Sequence, residues 1–183
     1  LDHPQRVARA CVIDIVPTLH MYETADKAFA TAYFHWFFLI QPAPFPERLI
    51  EPEAEYYLRS RLARWSAENE AAFAPEAVAE YLRCFCTPAA IHATCEDYRA
   101  AATIDLEHDA ADRQRGRRIA CPLLVLWGAR GFVGRNYDPP AIWRGWVERP
   151  EAVETAALDC GHFPAEEQPE ETLRLLQAFF GRA

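Results

Sequence analysis

The 183-residue chain is poor in several residue types and patterns, and each shortage excludes a class of protein. It has only seven glycines, and no stretch reads G-x-S-x-G, G-x-D-x-G or G-x-C-x-G, the turn on which many hydrolases carry their nucleophile. No apolar run approaches the roughly 20 residues that a transmembrane helix needs. No signal-peptide pattern opens the chain. The sequence therefore predicts a cytoplasmic protein with no membrane partner.

Excess positive charge and metal-binding patterns are also missing. The formal net charge is −8 at pH 7, which argues against nucleic acid as a partner. The six histidines include no H-E-x-x-H pattern, and the six cysteines include no C-x-x-C pair. We therefore expect reduced thiols and no metal site.

The residues that are present predict an α/β fold. Apolar residues make up 51% of the chain, enough for a substantial core. Short apolar runs predict strands at 10–16, 121–128 and 152–158, of which the first two are continuous enough to be buried parallel strands. Helical patterns with their caps and prolines predict the remaining elements. The predicted helices are 22–39, 51–70, 75–86, 88–103, 138–147 and 166–180, with 41–47 as a proline-rich connector.

The order of these elements is that of a parallel sheet interrupted by helices. It predicts a core strand with its following loop at 1–19, a helical cap at 20–118, and the C-terminal part of the α/β core at 119–183. A parallel sheet normally has more than three strands, with its edges covered. The chain therefore has the pattern expected for the C-terminal part of a larger fold.

Two polar residues follow predicted strands in a way that suggests chemistry. Functional groups of parallel α/β sheets gather just beyond the carboxyl ends of the strands. Asp14 ends the first strand and His162 follows the third, so both should emerge at one edge of the sheet. A histidine that takes a proton from water needs a carboxylate to fix its tautomer. Asp138 could compete with Asp14 as the acid, but its position has the pattern of a helix cap. The alternative without catalysis is that Asp14 is a capping residue and His162 lies in a surface loop.

Five stretches of the chain are distinctive when taken together: "LDHPQRVARACVIDIVPT", "YFHWFFLIQPAPFPERLI", "ATCEDYRAAATIDLEHD", "LWGARGFVGRNYDP" and "GHFPAEEQPEET". Together they resemble the haloacetate (fluoroacetate) dehalogenases of the α/β-hydrolase superfamily. The resemblance implies an α/β-hydrolase fold with a helical cap and a covalent aspartyl ester, with Asp14 as acid and His162 as base. It also implies that His35, Trp36 and Tyr98 donate hydrogen bonds to the departing halide. From the residues alone, His35 and Trp36 in an aromatic-rich helix are more often core packing, and Tyr98 is more often part of an amphipathic helix with its hydroxyl at the surface. Adjacent His35 and Trp36 would converge better at a helix end than within a regular turn.

The nucleophile that this mechanism needs has no match in the chain. In the family it precedes the acid, so we expect it before residue 1, together with the arginines that hold the substrate carboxylate. The chain alone is then expected to be inactive. The function implied is hydrolysis of fluoroacetate or chloroacetate to glycolate and halide, which needs no cofactor. The implied partners are a small haloacid substrate and, for the full-length protein, a second copy in a homodimer. The alternatives are an epoxide hydrolase of the same fold and a truncated, inactive paralogue with a binding or structural role.

Overall fold

A computed structural model describes residues 1–67 and 69–182 of the chain. Within these residues the strands form one parallel sheet in the order β1-β2-β3. The strands are β1 (Ala10–Ile13), β2 (Leu123–Gly128) and β3 (Val153–Leu158). Leu123 of the central strand lies opposite Ala10 on one side and Val153 on the other, so the strands begin level with one another. Their carboxyl ends therefore lie at one edge of the sheet.

The helices in the described residues are short, and most lie between β1 and β2 in the sequence. They are α1 (Thr18–Glu23), α2 (Lys27–Ala32), α3 (His35–Phe38), α4 (Phe45–Ile50), α5 (Ala54–Trp65), α6 (Pro75–Phe85), α7 (Pro88–Ala101), α8 (Ile104–Gln114), α9 (Phe132–Asn136), α10 (Pro139–Arg144), α11 (Pro164–Glu167) and α12 (Pro169–Phe180). None of the described helices has both the length and the apolar character that crossing a bilayer would require.

The chain divides into two compact units. The sheet unit contains Leu1–Pro17, Arg64–Ala72 and Asp112–Ala183, and the helical unit contains Thr18–Ala63 and Phe73–Ala111. The sequence places all of 20–118 in the cap, whereas the structure begins the helical unit at Thr18 and groups Arg64–Ala72 and 112–118 with the sheet. One reason is a backbone hydrogen bond from the His162 amide to the Trp65 carbonyl, 2.7 Å long. Positions 68 and 183 of the predicted elements lie outside the described residues.

The sheet unit has apolar packing on both faces of β2, because successive side chains of a strand point to opposite sides. Leu123 and Val125 pack with Trp143 of α10 on one face. Leu124 and Leu126 pack with Phe179 of α12 on the other. Truncating one of these buried leucines to alanine should cost about 2–5 kcal/mol of unfolding free energy. This packing fixes the edge from which Asp14 and the loop of His162 emerge.

The helical unit has its own core and a separate ion pair. The core consists of Leu39, Ile50, Ala54, Ile91 and Cys95. Beside it the buried Glu47 carboxylate accepts hydrogen bonds from Arg99 Nη1 at 2.8 Å and Nη2 at 3.1 Å. The Arg99 hydrogen bonds hold the pKa of Glu47 down at about 2, against the effect of burial. This ion pair joins α4, which carries Glu47, to α7, which carries Arg99.

The predicted single helix 22–39 is wrong. The structure divides this stretch among α1, α2 and α3, because Asp26 caps a new helix by accepting a hydrogen bond from the Phe29 amide at 2.8 Å. A second break follows at Tyr33, the residue after α2. As a result, His35 and Trp36 are the first two residues of a four-residue helix and not part of a regular turn.

Other helix boundaries in the structure also differ from those predicted. The connector predicted at 41–47 ends early, because α4 begins at Phe45 and Pro46 occupies a first-turn position where no amide hydrogen is required. Beyond the predicted helix 88–103, α8 is a helix that the sequence reading missed. The C-terminal stretch 166–180 is divided between α11 and α12, with Pro169 opening the second helix.

Candidate active site

Asp14 occupies the carboxyl end of β1 in an uncommon backbone conformation. Its φ is 52°, in the left-handed region that Asp tolerates better than most residues. This bend ends the strand, while the Asp14 amide still donates to the Leu126 carbonyl at 2.8 Å. The side chain is buried, and its Oδ1 accepts a hydrogen bond from the Gly128 amide at 2.9 Å. One carboxylate oxygen is thus fixed by the neighbouring strand.

The other carboxylate oxygen of Asp14 meets His162. The distance from Asp14 Oδ2 to His162 Nδ1 is 2.6 Å. The carboxylate is fully buried, while 32% of the His162 side chain is exposed. A carboxylate can only accept, so the Nδ1–H group donates, and Nε2 is then the basic nitrogen of the neutral ring. The structure therefore brings together the two residues that the strand-end rule selected.

The loop that carries His162 is held from both sides by one side chain. Glu167 Oε2 accepts from the Gly161 amide at 2.7 Å, and Oε1 accepts from the Phe163 amide at 3.0 Å. The His162 amide itself donates to the Trp65 carbonyl. Three consecutive amides, those of residues 161 to 163, are therefore bound. This bonding orients the imidazole towards Asp14.

Two glycines allow the close backbone approach on which this loop depends. A Cβ on Gly161 would lie 2.6 Å from Ala67 N and 2.7 Å from the carbonyl carbon of Ser66. A Cβ on Gly128 would collide with the backbone of Gly161. Real side chains do not approach backbone so closely, and so glycine is required at both positions.

The competing acid has the role that its sequence pattern predicted. Asp138 Oδ1 accepts a hydrogen bond from the Ala141 amide at 3.0 Å, which caps α10. On the same helix, Trp143 donates from its indole nitrogen to the Ile15 carbonyl at 2.8 Å, directly after Asp14 in the chain. This region supports the segment around Asp14 and leaves Asp14 as the carboxylate bound to His162.

The three residues matched to a halide site all belong to the helical unit, and their rings form one cluster. The Tyr98 ring centroid lies 5.5 Å from that of His35 and 6.0 Å from that of Trp36, both in edge-on geometry. His35 and Trp36 are buried. Burial also raises the pKa of the Tyr98 phenol, with smaller contributions from Tyr57, Asp97 and Tyr22. Tyr98 therefore stays a neutral hydrogen-bond donor at physiological pH.

The roles of Trp65 and Glu167 were not predicted from the sequence. The Trp65 ring lies edge-on to the His162 ring, with centroids 5.5 Å apart. The stretch around Trp65 has no distinguishing pattern, and its proximity to His162 comes from a contact nearly 100 residues away in sequence. Glu167 lies in an acidic helix start, a pattern that normally indicates solvent exposure and a favourable interaction with the helix dipole.

Cysteine nucleophiles are disfavoured by the environments of the buried thiols. Cys160, two residues before His162, is buried, and burial raises its pKa to about 12. Burial likewise raises the pKa of Cys95 to about 11. Because the thiolate is the reactive form, both groups are inert at neutral pH.

Comparison with known proteins identifies the architecture. No protein-family model matches the chain. ALR0039 from Nostoc sp PCC 7120, a solved structure assigned to the α/β hydrolases, is 54% identical with a TM-score of 0.93, covering 100% of this chain and 60% of that one. The chain has an α/β-hydrolase fold. The fold class predicted from the sequence is confirmed.

Curated relatives of this α/β-hydrolase-fold chain include two enzymes with different substrates. It is 39% identical to a fluoroacetate dehalogenase from Burkholderia sp over all 183 residues, which is 59% of that protein. It is 28% identical to a soluble epoxide hydrolase from Corynebacterium sp. (strain C12), over 98% of this chain and 60% of that one. The resemblance to fluoroacetate dehalogenases is confirmed. The chain spans about three-fifths of the length of these relatives.

A further solved structure shows that the fold alone does not identify the reaction. A protein from Salmonella enterica assigned as an acyltransferase is 49% identical with a TM-score of 0.92, covering 99% of this chain and 58% of that one. Reaction type must therefore be argued from individual residues.

Proposed function

We propose that these residues form part of a hydrolase that converts haloacetates to glycolate and halide through a covalent aspartyl ester. The observation that carries the proposal is the hydrogen bond between Asp14 and His162. This hydrogen bond supports a role for His162 as a general base, because a buried carboxylate holds its Nδ1 and leaves Nε2 to accept a proton from water. The similarity to fluoroacetate dehalogenase over the whole chain supports the choice of substrate class.

In the first step, a carboxylate nucleophile attacks the carbon that bears the halogen. A C–O bond forms, the C–X bond breaks, and the halide departs with the bonding electrons. The 183 residues contain no glycine-flanked elbow, so we place this nucleophile outside them. Asp14 is unsuited to the role, because its buried oxygens are bound to Gly128 and His162.

In the second step, His162 removes a proton from a water molecule, and the oxygen of that water attacks the ester carbonyl. The ester C–O bond breaks as the imidazolium returns its proton to the departing glycolate oxygen. The proton left on the attacking hydroxyl is released to solvent, and the nucleophile is regenerated as a carboxylate. Positive charge develops on the imidazole during the attack. The buried Asp14 carboxylate stabilises that charge and prevents the ring from turning.

We assign the aromatic cluster of the helical unit, His35, Trp36 and Tyr98, the role of binding the departing halide. Fluoride is a poor leaving group, because the C–F bond is strong and the small anion is costly to desolvate. Directed donors where charge develops lower this barrier. His35, Trp36 and Tyr98 offer imidazole N–H, indole N–H and phenol O–H groups. Removal of one such donor should reduce the rate by about 10²–10³-fold, by analogy with oxyanion holes.

The test uses the protein expressed from the complete open reading frame that contains these residues, called here the complete protein. It is incubated with fluoroacetate, chloroacetate and an aliphatic epoxide, while released halide and diol are measured. Halide release that continues over many turnovers in the wild-type protein, but stops after one equivalent in the His162→Asn variant, would support the proposal. Diol formation without halide release would instead favour an epoxide hydrolase.

The epoxide hydrolase is the second candidate because of a specific similarity, that to the soluble epoxide hydrolase of Corynebacterium. The same histidine and acid would hydrolyse the ester intermediate, and Tyr98 would protonate the alkoxide of the opened ring. A neutral tyrosine, as burial keeps Tyr98, is suited to that role. The substrate panel separates the two reactions. A complete protein that releases neither product would support the third alternative, an inactive paralogue.

A further inference from the structure

Tyr22 in α1 has a hydroxyl that packing alone does not explain. Among the described residues, its hydroxyl oxygen is buried and has no hydrogen-bond partner. A buried O–H group without a partner destabilises a fold, whereas phenylalanine fills the same volume without that penalty. A buried hydroxyl of this kind is free to donate a hydrogen bond to a small ligand.

Tyr22 packs against one residue of the proposed halide site. Its ring centroid lies 5.2 Å from that of Trp36, at an interplanar angle of 60°. Trp36 also contacts Tyr98 on α7, so the two tyrosines pack against the same indole. All three residues belong to the helical unit. Tyr22 is thus part of the aromatic cluster to which the proposed function assigns halide binding.

We infer that the Tyr22 hydroxyl is a fourth hydrogen-bond donor to the anion bound by His35, Trp36 and Tyr98. The inference rests on the proposed function, since it assumes that the aromatic cluster receives a halide. A hydroxyl offers a single compact donor, which suits a small anion that needs several short hydrogen bonds at once. Burial raises the pKa of Tyr22, so the group stays protonated and able to donate.

Tyr22→Phe in the complete protein tests this role through chloride binding, which requires no turnover. Chloride affinity is measured at constant ionic strength by the broadening of the ³⁵Cl resonance. We expect Tyr22→Phe to bind chloride about ten- to a hundredfold more weakly, with a melting temperature that is unchanged or higher. Tyr98→Phe should weaken binding similarly. The exposed Tyr56 provides the matched control, and Tyr56→Phe should bind as wild type does.

The outcomes distinguish this inference from the proposed function. If Tyr98→Phe weakens chloride binding and Tyr22→Phe does not, the inference is overturned and the aromatic halide site stands. If the wild-type protein binds no chloride, the halide site and the inference fail together. A second measurement does not depend on the folding of Tyr22→Phe. With 3-fluorotyrosine incorporated at position 22 alone, chloride should shift the ¹⁹F resonance, and a resonance that does not move would overturn the inference.

Discussion

Asp14 Oδ2 lies 2.6 Å from His162 Nδ1, across 148 positions of sequence and three parallel strands. The other oxygen of the same carboxylate is bound by the Gly128 amide at the end of the central strand. The carboxyl ends of all three strands therefore contribute to one short chain of hydrogen bonds. This arrangement is the basis of the predictions for the sheet unit.

Replacing Asp14 by asparagine should leave a hydrogen-bonded side chain but remove the negative charge beside the imidazole. We expect a loss of turnover of roughly 10³–10⁴-fold in the complete protein, as for other acid–histidine pairs. Steady-state halide release measures the effect. Asp138→Asn is the control, because that side chain caps α10 and should change turnover little. Equal effects of the two substitutions would contradict a special role for Asp14.

Glu167 should act as a positioning residue for His162. Glutamine at this position can accept a hydrogen bond from only one of the two backbone amides. We expect Glu167→Gln to speed amide hydrogen exchange at Gly161 and Phe163. We also expect it to lower the rate of ester hydrolysis by about tenfold, because the loop loses one hydrogen bond to a charged group. Exchange is followed by NMR or mass spectrometry.

The control for Glu167 is Glu171→Gln. The Glu171 carboxylate lies in an exposed ion pair with Arg174 in α12. Exchange in the loop should be unchanged in this variant. If Glu167→Gln also leaves the exchange rates of Gly161 and Phe163 unaltered, the positioning role is refuted.

The buried ion pair between Glu47 and Arg99 should make the fold sensitive to acid. The folded-state pKa of Glu47 is about 2, below its ordinary 4.5. Because the folded pKa is depressed, the stabilisation is complete above about pH 4.5 and is lost as the pH falls towards 2. The shift corresponds to about 3 kcal/mol of unfolding free energy. Urea unfolding as a function of pH measures it.

A comparison of glutamine variants isolates the Glu47 effect. Glu47→Gln should be less stable than wild type at neutral pH, and the difference should shrink below pH 4.5. The control is Glu80→Gln, which removes an exposed ion pair with Arg83 and should have a smaller effect on the melting temperature. A stability difference for Glu47→Gln that stays constant down to pH 2 would contradict the linkage.

Thiol labelling should separate exposed from buried cysteines. Cys84 and Cys86 are exposed, whereas Cys95 and Cys160 are buried with raised pKa values. A disulfide reagent at neutral pH should modify Cys84 and Cys86 first, and Cys84→Ser with Cys86→Ser should abolish that fast phase. Rapid modification of Cys160 would instead reopen the question of a thiol nucleophile beside His162.

The parallel sheet, Asp14 and His162 could be predicted from the sequence. The strands follow from local runs of apolar residues, and the two polar residues follow from a general rule about strand ends. Continuous apolar runs indicated buried parallel strands, and the rule about strand ends selected Asp14 and His162. The capping role of Asp138 followed from its place before two prolines. Each of these inferences used residues that are adjacent in the sequence.

The helix breaks and the surroundings of His162 could not be predicted in this way. They depend on contacts between distant segments, or on capping residues that lie within an otherwise helical pattern. The break at Asp26 came from a single capping side chain within an otherwise helical stretch. The contacts of Trp65 with the His162 loop arise only when the chain folds back on itself. The requirement for Gly161 likewise comes from the backbone of residues 65 to 67.

The most direct test of the account is the fate of the ester when His162 cannot act as a base. His162→Asn in the complete protein is mixed with fluoroacetate, and the intact protein mass and released fluoride are measured over one turnover. We predict a stoichiometric burst of fluoride and a mass increase of one carboxymethyl group that persists, whereas His108→Asn, at an exposed position of α8, turns over normally. Continued turnover by His162→Asn at the wild-type rate, with no mass increase, would contradict the account.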